Sequence, residues 1–140
     1  MKLAKTLLLV GGAINALFFL FHCWLGWQIH RWGTGLPPSA NVLLEMLNGG
    51  SALFILLLAI ASLACPDDML TTRLGHSVLA VACALYGLRA GAEIFLALTA
   101  KPVVVATCLA TSALYLAIFI LSRRAMAPGA AATVPAEFVV

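Results

Sequence analysis

The run LLLVGGAINALFFLFHCWLGW, residues 7–27, decides the fold. It contains no Asp, Glu, Lys or Arg, and about 20 apolar residues are what a helix needs to cross the hydrocarbon core of a bilayer. Lys2 and Lys5 ahead of it resemble the start of a signal peptide. The run is longer than the roughly 7–15 residues of a signal-peptide core, and no A-x-A cleavage site follows, so it reads as a retained helix. Phe21 and His22 are too bulky to precede a lipoprotein cleavage at Cys23.

Three further runs have the same character: 42–64, 75–98 and 103–121. The breaks between them carry turn-forming residues: Gly33, Gly35, Pro37, Pro38 and Asn41, then Pro66, Asp67 and Asp68, then Lys101 and Pro102. Ser39 or Asn41 is expected to cap the second helix, and Asp67 or Asp68 the third. Short connections favour antiparallel neighbours. The expected fold is therefore an all-α membrane protein of four transmembrane helices in an up-down-up-down bundle over residues 1–124. Residues 125–140, rich in Ala, Pro and Gly, are expected to form a flexible cytoplasmic tail.

Composition agrees. The 140 residues are 64% hydrophobic and 9% charged, against about 25% charged in soluble domains, and mean hydropathy is +1.09. A net charge of +3, scattered along the chain, gives no footprint for nucleic acid. Lys2, Lys5, Arg73, Arg123 and Arg124 collect at one side of the bundle, and Arg31 and Lys101 at the other. The positive-inside rule then puts both termini in the cytoplasm of a bacterial-type inner membrane. Trp24, Trp27 and Trp32 would form an aromatic belt at the outer surface. The two halves do not share matched polar positions, which weakens an inverted-repeat transporter reading.

Ionisable groups inside a membrane are functional-site hypotheses by default. His22, Glu45, Asn48, Arg89 and Glu93 all fall within roughly nine residues of the outer span ends, one band at 1.5 Å per residue. Glu45 and Asn48 are spaced i, i+3 and Arg89 and Glu93 i, i+4, each pair on one helix face. Asn15, His22 and Gly26 form a third such face. Turned inward, the three faces would make one outer pocket in which Arg89 holds an anionic or carbonyl group and Asn48 orients it. Two carboxylates against one arginine would leave a surplus negative charge there. The expected function is binding of a small amphipathic or lipophilic ligand. Two alternatives stand beside it: an accessory subunit of a larger membrane complex, and a membrane enzyme with His22 and Glu93 as acid and base on a lipid-soluble substrate.

No cofactor or metal is expected. Haem is disfavoured because His22 and His76 lie about 20 Å apart in depth at 1.5 Å per residue, and His22 and His30, eight apart, do not share a face. A metal held by His22, Glu45 and Glu93 would be repelled by Arg89. Cys23, Cys65, Cys83 and Cys108 show no CxxC spacing and predict neither disulfides nor a zinc site. Ala80, Ala84, Gly87 and Gly91 form a small-residue face, read as packing on the fourth helix in preference to a homo- or hetero-oligomer seam. His76 is expected to be solvated or to act as a cap. On the fourth helix, Cys108, Thr111 and Tyr115 share a face, their hydroxyls bonding back to the backbone or across to Tyr86. The partners expected are membrane lipids and a lipophilic small molecule.

Overall fold

The computed structural model describes residues 2–32, 35–96 and 101–126, and among those residues there are five helices and no strand. They are α1 (Lys2–Trp32), α2 (Pro38–Ala64), α3 (Pro66–Thr71), α4 (Arg73–Phe95) and α5 (Pro102–Ala125). The four longer ones are long and apolar enough to cross a membrane.

The ends differ from expectation for local reasons. α2 begins at Pro38, with Pro37 as N-cap, because proline at the first helical position loses no needed hydrogen bond and brings a helical φ. Ser39 and Asn41 therefore lie inside the helix. The Pro66-Asp67-Asp68 break is itself a short helix, and α4 is capped by Thr72, whose Oγ1 accepts from Gly75 N at 2.9 Å. Neither Asp67 nor Asp68 caps α4. α1 runs to Trp32, past the expected end at Trp27, and α4 ends at Phe95. The expected tail falls mostly at 127–140, outside the described residues, and Ala125 closes α5.

Burial follows helical spacing. Ala4, Leu8, Gly11, Gly12 and Asn15 form the inner stripe of α1, and Leu79, Ala82, Tyr86, Ala90 and Glu93 that of α4. Leucines and phenylalanines on the other faces, such as Leu17, Leu53, Leu88 and Phe95, point outward. α1 packs closely on α2 and α4 on α5, and α1 against α5 joins the two pairs. At one end of the bundle Lys5 of α1 bonds both carboxylate oxygens of Asp67, at 2.9 and 2.8 Å. At that same end His76 of α4 meets Phe119 of α5 edge-on. We call this the Lys5 end and the other the Trp32 end.

Candidate functional site

One buried polar node joins all four long helices. Asn15 has no exposed surface. Its Nδ2 donates to Gly11 O at 2.8 Å and to Tyr115 Oη at 2.6 Å, while its Oδ1 accepts from Tyr86 Oη at 2.5 Å. Ser62 of α2 lies 3.5 Å from the Tyr115 hydroxyl. The two tyrosine rings stack with centroids 6.4 Å apart. Both amide protons and the amide oxygen are thus used, and no buried side-chain polar atom lacks a partner among the described residues. Gly11 makes room for Tyr115: a Cβ there would sit 3.2 Å from its hydroxyl.

Toward the Trp32 end the five predicted site residues divide between two clefts. The first lies between α1 and α2 and has a volume of about 450 Å³. Asn48 hooks α1 twice in it: Nδ2 donates to His22 O at 3.0 Å, and Oδ1 accepts from His22 Nδ1 at 2.8 Å. Since an amide oxygen can only accept, Nδ1 of His22 is the donor in that bond. Glu45 pairs with His30 at 3.4 Å, one turn nearer the end. His22 and His30 line this same cleft, although their spacing predicts separate faces. Eight residues turn a helix by two full turns and about 80°, little enough for a broad groove to take in both.

Gly26 is what lets Asn48 reach. A Cβ there would lie 2.9 Å from Asn48 Nδ2. Gly26→Ala is therefore expected to break the amide's bond to the His22 carbonyl and lower the stability by about 1–2 kcal/mol. In an Asn48→Ala background the substitution has little left to disturb, and thermal unfolding of the two single variants and the double measures the difference.

The second cleft, of about 490 Å³, lies between α1, α4 and α5. Glu93 is engaged on both oxygens: Oε2 accepts from Arg89 at 2.8 Å, and Oε1 from the backbone N–H of Lys101, the N-cap residue of α5, at 3.2 Å. Arg89 keeps 53% of its side chain exposed, against 10% for Glu93, so most of its N–H groups remain available. Phe18, Phe21, Val103 and Val104 supply apolar walls, and Lys101 lines the rim. With Glu45 in the other cleft, the balance here is two cations to one carboxylate, a surplus positive charge where the sequence suggests a negative one. The two clefts place His22 and Glu93 apart, and among the described residues no hydrogen bond joins Asn48 to Arg89, although Arg89 also borders Ser51 and Ile55 of α2.

The remaining singled-out residues are structural neighbours. Gly87 faces Ser112 of α5, which a Cβ would approach to 3.4 Å, and Ser112 Oγ donates to Cys83 O at 2.8 Å. Gly91 has open space within 4 Å, and Ala80 and Ala84 are exposed. His76 is buried and not solvated, and its Nε2 donates to Leu70 O at 3.0 Å, a cap on the last turn of α3 and not on its own helix. Thr107 and Thr111 bond back to Val103 O and Thr107 O, as their positions predict. Trp24 and Trp27 are half exposed, and Arg31 covers the Trp27 ring at 5.1 Å. Among the described residues no group of three or more His, Cys, Asp or Glu is placed to hold a metal ion.

The sequence reading does not identify the Asn15 node. Its signal was a lone amide on an otherwise apolar inner stripe with two tyrosines on other helices. Compared with known protein families, curated proteins and solved structures, the chain matches none.

Proposed function

We propose that this is a small integral membrane protein whose α1–α4–α5 cleft binds a small amphipathic ligand with an anionic head. The observation that carries the reading is Arg89: half exposed in an apolar cleft, it shares its one carboxylate partner with the start of α5. A guanidinium presents a planar fork that suits a carboxylate or phosphate. The apolar walls suit a hydrocarbon tail.

The membrane setting is supported by burial. Only 22–28% of the residues in the most apolar stretch of each long helix are buried, so a large apolar surface needs an apolar solvent. The Lys5–Asp67 and His76–Phe119 contacts pair the start of α1 with α3, which directly follows α2, and the start of α4 with the end of α5, which supports up-down-up-down crossing. Lys2, Lys5, Arg73, Arg123 and Arg124 at the Lys5 end support a cytoplasmic placement of that end, and with it a bacterial-type inner membrane as the expected location.

The test uses dansyl-undecanoate as a fluorescent anionic amphiphile, titrated into the detergent-purified protein. Arg89→Ala is expected to weaken binding about ten-fold or more, and Arg89→Lys to restore it poorly, because the fork is lost. Unchanged binding by a folded Arg89→Ala protein would remove the reading. A second reading, an accessory subunit docking a larger complex, is favoured by the open space at Gly91 beside exposed Ala80 and Ala84. Gly91→Leu, unlike a change at Arg89, would then break co-purification of a partner.

A further inference from the structure

At the opposite end of the bundle, Arg73, the first residue of α4, and Arg123, in the last turn of α5, line one pocket of about 350 Å³ together with Ser77 and Phe119. We propose that this pocket binds a phosphate group, carried by an anionic phospholipid or free in solution. The inference uses the membrane placement above but neither Arg89 nor its cleft.

Four observations converge. Neither arginine forms an ion pair with a carboxylate among the described residues: Asp67 is held by Lys5, and Asp68 pairs with neither. Arg123 is not a loosely tethered surface charge, because its guanidinium lies 5.8 Å from the centre of the Phe119 ring, which itself packs edge-on against buried His76. Arg73 sits at the N-terminus of α4, where the helix dipole disfavours a cation and favours an anion beside it. The depth also fits. α4 has 23 residues, about 35 Å at 1.5 Å per residue, so its first residue falls at the edge of a hydrocarbon core about 30 Å thick, where lipid phosphates lie. Two guanidinium forks on one pocket are a phosphate-recognising set; the neighbouring Ser77 hydroxyl donates to the Arg73 carbonyl at 3.1 Å. A basic pocket between helices on the cytoplasmic side is where anionic headgroups dock.

The experiment measures binding to the detergent-purified full chain of three probes: dioleoyl-phosphatidylglycerol, dioleoyl-phosphatidylcholine and inorganic phosphate at constant ionic strength. Native mass spectrometry counts the lipids, and thermal shift reads all three. Phosphatidylglycerol is expected to bind more tightly than phosphatidylcholine, and Arg73→Gln with Arg123→Gln to lose about ten-fold or more of that affinity. Arg124→Gln removes the same charge next door but does not line the pocket, and it is expected to bind as the parent does. If phosphate alone reproduces the shift and the double variant abolishes it, the site takes free phosphate; if only the lipid does so, the source is the headgroup. Retained dansyl-undecanoate binding shows that the double variant is folded and that the Arg89 cleft is intact. Should the double variant not fold, the single substitutions decide on the same criterion. Equal losses in Arg124→Gln, or no loss in any variant, would overturn the proposal.

Discussion

Replacing Asn15 with leucine is expected to lower the stability of the folded protein by about 3 kcal/mol, since two buried hydroxyls lose their amide partner. Tyr86 Oη loses its acceptor and Tyr115 Oη its donor, and the side chain has no exposed surface through which water could replace them. Individual hydrogen bonds between membrane helices average only about 0.6 kcal/mol, so a loss near 3 requires that Tyr86 and Tyr115 be stranded together. That distinction can be measured. If Tyr86→Phe, Tyr115→Phe and Ser62→Ala, which removes the hydroxyl that Tyr115 would otherwise leave unpaired, are added to Asn15→Leu, the node keeps no orphaned side-chain polar group, and part of the loss should be recovered. Denaturant or thermal unfolding in detergent, followed by circular dichroism, gives the values. A combined variant as unstable as the sum of its single changes would mean that Asn15 acts by shape alone. The same substitution should leave phosphate binding at Arg73 and Arg123 intact in whatever protein remains folded, because the node lies deeper in the bundle.

The contrast between what the residues disclosed and what they did not has a physical basis. A long apolar run announces itself because the membrane-crossing length is a property of the run alone, and the four long helices appear where the four runs are. Helix ends depend on competition between neighbouring residues: Pro37 and Pro38 outcompeted Ser39 and Asn41 as the start of α2, and Thr72 outcompeted Asp68 for α4. Which side chains meet across helices depends on azimuth and register together, and spacing along one helix supplies only the first. Glu45 and Asn48 share a face as their spacing predicts, yet the extension of α1 to Trp32 brings His30 to Glu45 and leaves Arg89 to Glu93. Asn15 and His22 likewise share a face of α1, but that face borders both α2 and α5. Asn15 turns to Tyr86 and Tyr115, and His22 to Asn48. The small-residue pattern at Gly87 and Gly91 was legible as a surface for close approach; only the coordinates show that α5 uses Gly87 and leaves Gly91 open.

Gly12 carries the other large expected effect. A Cβ at this position would sit 2.8 Å from Leu63 Cγ, 2.9 Å from its Cδ2 and 3.0 Å from Ser62 Cβ, so either the half-exposed Leu63 side chain swings aside or α2 retreats from α1. Gly12→Val is expected to cost about 3 kcal/mol, at the upper end of what overpacking a tight core exacts. It should also draw Ser62 away from Tyr115 and so weaken the node from its α2 side. The comparison that isolates contact from backbone freedom is Gly50 of α2, which has nothing within 4 Å of its Cβ position. In a helix interior, glycine is less favourable than alanine by roughly 0.5–1 kcal/mol, so Gly50→Ala is expected to stabilise by that amount. Both substitutions remove a glycine from a long apolar helix, and only their neighbours differ. Opposite signs in the two unfolding midpoints would establish that the α1–α2 pair is held by close approach at Gly12. A Gly12→Val protein as stable as the parent would mean that Leu63 yields the space and that close approach at Gly12 does not hold the α1–α2 pair.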